Sequence, residues 1–217
     1  MKKILSLLHK ARSLITMKKY NDEYLNWLRF ANAGMLNPGN VYAMKHAIDR
    51  LPTNDPIVEI GSFCGLSTNV ISYFLRMAEK KNIMFCSDKW IFEGAETAKN
   101  LGNSDILHSD YRTFIKESFI RNIKLFSPNL PYPIELFSDD FFEKWHESSQ
   151  MIDVLGRPIK LGGKISFCYI DGNHTYEYAK RDFENVDKNL VSGGFILFDD
   201  SSDSDPFGLT KLSTTLL

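Results

Sequence analysis

Apolar residues recur at three- and four-residue spacing through Tyr24, Leu25 and Leu28, and again through Val41, Met44, Ala47 and Ile48. That period predicts helices over residues 1–52, an N-terminal helical cap. Asn37-Pro38-Gly39-Asn40 reads as the turn between them, and Leu51-Pro52-Thr53-Asn54-Asp55-Pro56 stops the second. The pattern then changes. Ile57-Val58-Glu59-Ile60 is short, apolar and β-branched and runs directly into Gly61, after which Ser67-Thr68 opens a helical pattern through Val70, Ile71, Phe74, Leu75 and Ala78. A second strand, Ile83 to Cys86, ends at Ser87-Asp88, and a third, Ile134 to Phe137, ends at Ser138-Asp139 before a helix through Phe141, Phe142 and Trp145. Residues 92–126 read mostly as helix and loop, and 149–164 as loop. A fourth strand, Ile165 to Ile170, ends at Asp171 and is followed by a helix from Tyr176 to Leu190, with Gly193-Gly194 as its exit turn. The fifth, Phe195 to Phe198, ends at Asp199-Asp200.

Short apolar strands alternating with helices predict an α/β fold: a parallel sheet covered on both faces, with right-handed crossovers. Residues 53–217 read as one globular unit. In open sheets of this kind ligands bind beyond the carboxyl ends of the strands, which puts Glu59, Gly61, Asp88, Asp139, Asp171, Asp199 and Asp200 on one rim.

Composition narrows the partners. A net charge of −1 gives no global attraction to nucleic acid or an anionic membrane. Cys64, Cys86 and Cys168 form no framework spacing, which points to core residues in a reducing compartment and a cytoplasmic location. No run approaches the roughly 20 apolar residues of a membrane span. Residues 1–19 carry six Lys or Arg and an apolar face of Ile4, Leu5, Leu8, Ala11 and Ile15. Such a helix can lie on a membrane surface or pack on its own domain, and packing is the commoner use.

The turn after the first strand is the first candidate site. Its glycines, Gly61 and Gly65, are spaced Gly-x-x-x-Gly with Phe63 between, unlike the G-x-G-x-x-G of a pyrophosphate cradle. A ligand without phosphate suits it better. Glu59 can accept from a ribose or ammonium group, Asp88 is placed for two ribose hydroxyls, and Asp139 for an adenine end. Each acid can instead be a solvated loop residue or helix cap.

The stretch Val58-Glu59-Ile60-Gly61-Ser62-Phe63-Cys64-Gly65-Leu66-Ser67-Thr68 resembles the first motif of class I S-adenosylmethionine-dependent methyltransferases, in the subgroup reading V-E-I-G-S-x-x-G-x-S-T. Tyr169 to Glu177 is similar to that subgroup's I-D-G-D-H-x-Y-E, Gly193 to Asp200 to its G-G-x-I-x-x-D-D, and Gly34-Met35-Leu36 to its entry segment. The resemblance spans about residues 33–210. It implies S-adenosylmethionine as cofactor, with contacts at Glu59, Gly61, Ser62, Asp88 and Asp139, and with Gly65, Ser67 and Asp171 in the same motifs. It also implies a Rossmann-like strand order 3-2-1-4-5, in which Asp171, Asp199 and Asp200 converge beside the cofactor. Carboxylates that close repel unless protonated or bridged, so Mg²⁺ or another divalent cation is the expected bridge, as in catechol-type and macrolide-sugar relatives. Asp199 and Asp200 can alternatively cap a loop, or Asp199 orient the methionine amine.

Two departures from the subgroup matter. Where sugar-modifying relatives carry an acid that can act as base, this chain has Asn173, which leaves His174 as the candidate base beside Asp171. His174 can instead cap the following helix or touch the cofactor. After the fifth strand the chain stops at Leu217, short of the subgroup's last two strands, so an uncovered strand edge and a homo-oligomer are expected. The predicted activity is O-methylation of a small molecule or sugar, metal-assisted. A truncated cofactor-binding relative without catalysis and an NAD-dependent oxidoreductase are the alternatives.

Overall fold

The computed structural model describes residues 22–91, 95 and 98–199. The expectations for residues 1–19, for Asp200 and for the chain after it lie outside these. In chain order the elements are α1 (Glu23–Ala31), α2 (Pro38–Asp49), β1 (Ile57–Ile60), α3 (Leu66–Met77), β2 (Met84–Ser87), α4 (His108–Phe126), β3 (Tyr132–Ile134), α5 (Ser138–His146), β4 (Gln150–Ile152), β5 (Pro158–Lys160), β6 (Ile165–Ile170), α6 (Tyr176–Asp187) and β7 (Leu190–Phe198). The main sheet has five strands in the order β3-β2-β1-β6-β7, all parallel. This is the expected 3-2-1-4-5 arrangement with one hairpin inserted ahead of its fourth strand.

Side-chain alternation divides the sheet into two faces. Ile57, Cys86, Phe167 and Tyr169 pack with residues of α1 to α4, whereas Val58, Ile60, Phe85, Cys168 and Ile170 pack with α5 and α6. The first face is the thicker. Leu25 and Leu28 of α1 and Val41, Met44, Ala47 and Ile48 of α2 bury into the same cluster as β1 and α3. Helix α3 is consequently enclosed, with every residue from Leu66 to Leu75 buried. Each aliphatic side chain so removed from water contributes about 1.5–3 kcal/mol. All three cysteines are free and buried.

Several expectations change, and of the expected turn Asn37–Asn40 only Asn37 stays outside a helix, as the N-cap of α2. The loop 149–164 contains the antiparallel hairpin β4–β5. The third strand is Tyr132–Ile134 rather than Ile134–Phe137, because Pro133 fits an edge strand and α5 has already begun at Ser138. Gly193-Gly194 is not an exit turn but lies inside β7, where Gly193 has φ +79° and the register with β6 shifts between Ile165 and Phe167. Glycines absorb that irregularity without strain. The helix before it therefore ends at Asp187, short of the expected Leu190.

One buried acid in this layer titrates in an accessible range. Asp182 of α6 is 2% exposed, and one of its carboxylate oxygens has no partner. Burial pushes its pKa from 3.8 up to about 7, with Ser138 opposing and Asp139 adding. A raised acid favours the folded state while it is protonated, so this contribution is full below about pH 4 and is lost as pH rises to about 7. Asp182→Asn should flatten that part of the stability profile and stabilise the fold at pH 8 by about 2–4 kcal/mol. Urea unfolding at pH 5 and pH 8 measures it, and parallel profiles for the two proteins would refute the assignment.

Candidate functional site

The turn from β1 into α3 is shaped by close backbone approach. Gly61 has φ +79°, and a Cβ there would sit 2.0 Å from the carbonyl oxygen of Asp171. Its glycine is thus required by the join between β1 and β6, whose ends are tied by Asp171 N–H donating to Ile60 at 2.8 Å. Gly65 takes φ +87° at the start of α3, with Phe119 of α4 3.1 Å from where a Cβ would be. Between them the Cys64 carbonyl accepts from the side-chain amides of Asn32, at 3.0 Å, and Asn122, at 2.8 Å. Asn32 Oδ1 accepts from the Asn69 amide at 2.7 Å, and Asn69 Oδ1 accepts from the Ser127 hydroxyl at 2.7 Å.

Asp88 stands at the end of β2 and holds this turn from the other side. One carboxylate oxygen accepts from the backbone N–H of Ser62 at 2.8 Å and of Phe63 at 2.9 Å, and the other from Trp90 N–H at 2.6 Å. Burial raises its pKa, against the pull of those three donors. The Trp90 indole donates to the Phe63 carbonyl at 2.9 Å and closes the loop. In this conformation Asp88 serves the turn's own backbone. Glu59 is fully buried and accepts from the Thr68 hydroxyl. Burial pushes it up to about 7, with the Ser67 and Thr68 hydroxyls pulling the other way. Its second oxygen and the Ser62 hydroxyl are buried with no close hydrogen bond, and Ser62 is one of the groups that lower the Glu59 pKa. Asp139 lies apart, in the first turn of α5, paired at 3.3 Å with Arg181 of α6.

The second half of the rim is built by β6 and β7. Asp171 follows β6, and His174 Nε2 lies 3.4 Å from its Oδ1. Asp199 follows β7, with its N–H donating to Ile170 at 2.9 Å. One ligand atom from each of Asp171, His174 and Asp199 falls within 4.8 Å of the others. Burial, reinforced by Asp199, pushes Asp171 up to about 8, and His174 opposes. The structure thus brings together Asp171, Asp199 and the proposed base, with Asp200 outside the described residues. Asn173 accepts from Thr175 N–H at 2.9 Å in the turn ahead of α6, whose N-cap is Thr175. Sequence reading missed Asn40, whose side-chain amide donates to Asp199 Oδ1. Its only signal was a turn at Asn37-Pro38-Gly39-Asn40.

The family described as "Methyltransferase domain" matches residues 58–201. No curated protein matches the sequence. Among solved structures, the fold is similar to an O-methyltransferase from Bacillus cereus in complex with SAH, with 14% identity, TM-score 0.53, and 90% of this chain and 79% of that chain covered. It is similar to the SAH-bound methyltransferase PaMTH1 of Podospora anserina, with 13% identity, TM-score 0.51, and coverage of 89% and 70%. The O-methyltransferase NovP shares it at 12% identity and TM-score 0.56, with coverage of 84% and 72%.

Proposed function

Because the chain belongs to the methyltransferase-domain family, we propose that it transfers a methyl group from S-adenosylmethionine to an oxygen of a small molecule or sugar, with a divalent cation held by Asp171 and Asp199 and with His174 beside it as base. The observation that carries this is the meeting of those three side chains, within 4.8 Å, beside the turn after β1. The two carboxylates, of Asp171 and Asp199, suit a hard divalent cation such as Mg²⁺ or Mn²⁺. A cation bound there supplies Lewis acidity that lowers the pKa of the acceptor hydroxyl.

The chain's own residues supply the rest. His174 takes the acceptor's proton on a ring nitrogen, and Asp171 orients the ring. The acceptor oxygen then bonds to the methyl carbon as the carbon–sulfur bond breaks, and S-adenosylhomocysteine leaves. The turn, fixed by Asn32, Asn122 and Asp88, would hold the cofactor that supplies the methyl group, and such positioning would carry much of the rate. Glu59 and Ser62 keep acceptor capacity beneath the turn for the cofactor's polar end. SAH in the Bacillus cereus and Podospora neighbours supports the choice of cofactor.

S-adenosylhomocysteine at a hundred times its Kd should stabilise the protein by about 2.7 kcal/mol, a Tm rise of roughly 5–10 °C for a chain of this size. NAD should give no shift. Asp88→Ala should erase most of the response, since it removes the anchor of Ser62 and Phe63. A shift with NAD and none with S-adenosylhomocysteine would return the protein to the oxidoreductases. Tight S-adenosylhomocysteine binding with no turnover on phenolic or sugar hydroxyls would favour a non-catalytic relative.

Among the described residues no helix is long and apolar enough to cross a membrane.

A further inference from the structure

Tyr169 lies in β6 with no exposed surface. It pairs with Glu59 on one side and Leu197 on the other. Asp171 follows it by two residues and Asp199 follows Leu197 by two, so side-chain alternation sends all three toward the face covered by α2 and α3. The Tyr169 hydroxyl is buried there with no close hydrogen bond, beside the Asp199 carboxylate. A phenylalanine would fill the same space without stranding a polar atom, so packing does not account for the oxygen. Toward the carboxylates of Asp171 and Asp199, which as anions can only accept, a phenol hydroxyl serves as the donor. Asn40 already supplies one donor to Asp199 Oδ1 from α2.

We propose that Tyr169 is a positioning residue of the cation site, donating its O–H to the Asp171–Asp199 carboxylates when a divalent cation draws them to a common centre. The inference rests on the cation reading of that site. Hydrogen bonds to ligating carboxylates fix which lone pairs face the metal, and losing one typically costs 10–100-fold in metal affinity.

Tyr169→Phe in the full chain tests this, with Mn²⁺ as the probe, its affinity read by electron paramagnetic resonance, and the Tm of the metal-free protein measured alongside. A merely structural hydroxyl would lower Tm and leave Mn²⁺ affinity alone. The expected result has opposite signs: an equal or higher Tm without metal, because an unsatisfied buried hydroxyl is gone, and Mn²⁺ binding roughly 10–100-fold weaker. Equal Mn²⁺ affinity in the two proteins overturns the role of Tyr169 while leaving the cation site standing. A wild-type protein that binds no Mn²⁺ overturns the cation reading itself, and the inference with it. A Tm drop that accompanies weaker binding overturns it too, since the hydroxyl would then be part of the fold.

Discussion

Asp171→Asn is expected to lower methyl transfer by about 10²–10⁴-fold while leaving the fold at least as stable as the parent. Asp171 both faces His174, at 3.4 Å, and shares the donor cluster with Asp199. An amide keeps the size, loses the charge that orients and stabilises the protonated imidazole, and is a poor ligand for a divalent cation. The stability change has the opposite sign. Burial raises the folded pKa of Asp171 to about 8 from 3.8, so the ionised carboxylate strains the unliganded protein. Its favourable contribution is full below about pH 4 and is lost as pH rises through about 8. The neutral amide escapes that loss, so the variant's unliganded Tm at pH 8 should match or exceed that of the parent. Release of S-adenosylhomocysteine across a panel of phenolic and sugar acceptors measures the first effect, and thermal melts at pH 5 and pH 8 the second. A variant with full turnover would remove Asp171 from the chemistry.

Gly61→Ala should be the most damaging single substitution to the fold, costing roughly 3–5 kcal/mol. The added carbon would lie 2.0 Å from the Asp171 carbonyl oxygen and 2.6 Å from its carbon, which are backbone atoms with no rotamer to yield. A φ of +79° adds strain for any residue with a Cβ. Relief requires β1 and β6 to part at the place where the turn after β1 meets the acids of the rim, so S-adenosylhomocysteine binding should fall with stability. Chemical denaturation gives the first number and calorimetry the second. Gly156→Ala is the matched control, since it also has positive φ but nothing within 4 Å of the new carbon. Similar losses in the two variants would show that backbone strain alone, not the approach to Asp171, limits this position.

The sequence by itself determined the alternation of strand and helix and the acids that follow β2, β6 and β7. Period, turn glycines and β-branched runs act within a few residues, so Ile57–Ile60 followed by Gly61 is readable locally. Asp171 and His174, three residues apart, were legible together for the same reason. Where local signals conflict, reading failed. The third strand was expected from Ile134 to Phe137 yet spans Tyr132–Ile134 with Pro133 inside it, and Gly193-Gly194 was expected as a turn yet lies within β7.

The tertiary structure decided what each site residue faces. Asn40 reaches Asp199 across 159 residues of chain, a pairing that no local spacing encodes. Asp88 stood at the strand end its sequence predicted, but only the folded loop shows both its oxygens taken by backbone N–H groups of Ser62, Phe63 and Trp90. Gly61 was read as room for a ligand, whereas the atom that demands it is a carbonyl of this same chain. Tyr169 stood at the start of a motif in the sequence, and only the packing of α2, α3 and the neighbouring strands shows its hydroxyl buried beside Asp199. Local sequence sets the conformation of a segment. The partners of its polar atoms depend on chain packing from far away, and that packing is fixed only when the whole core is buried.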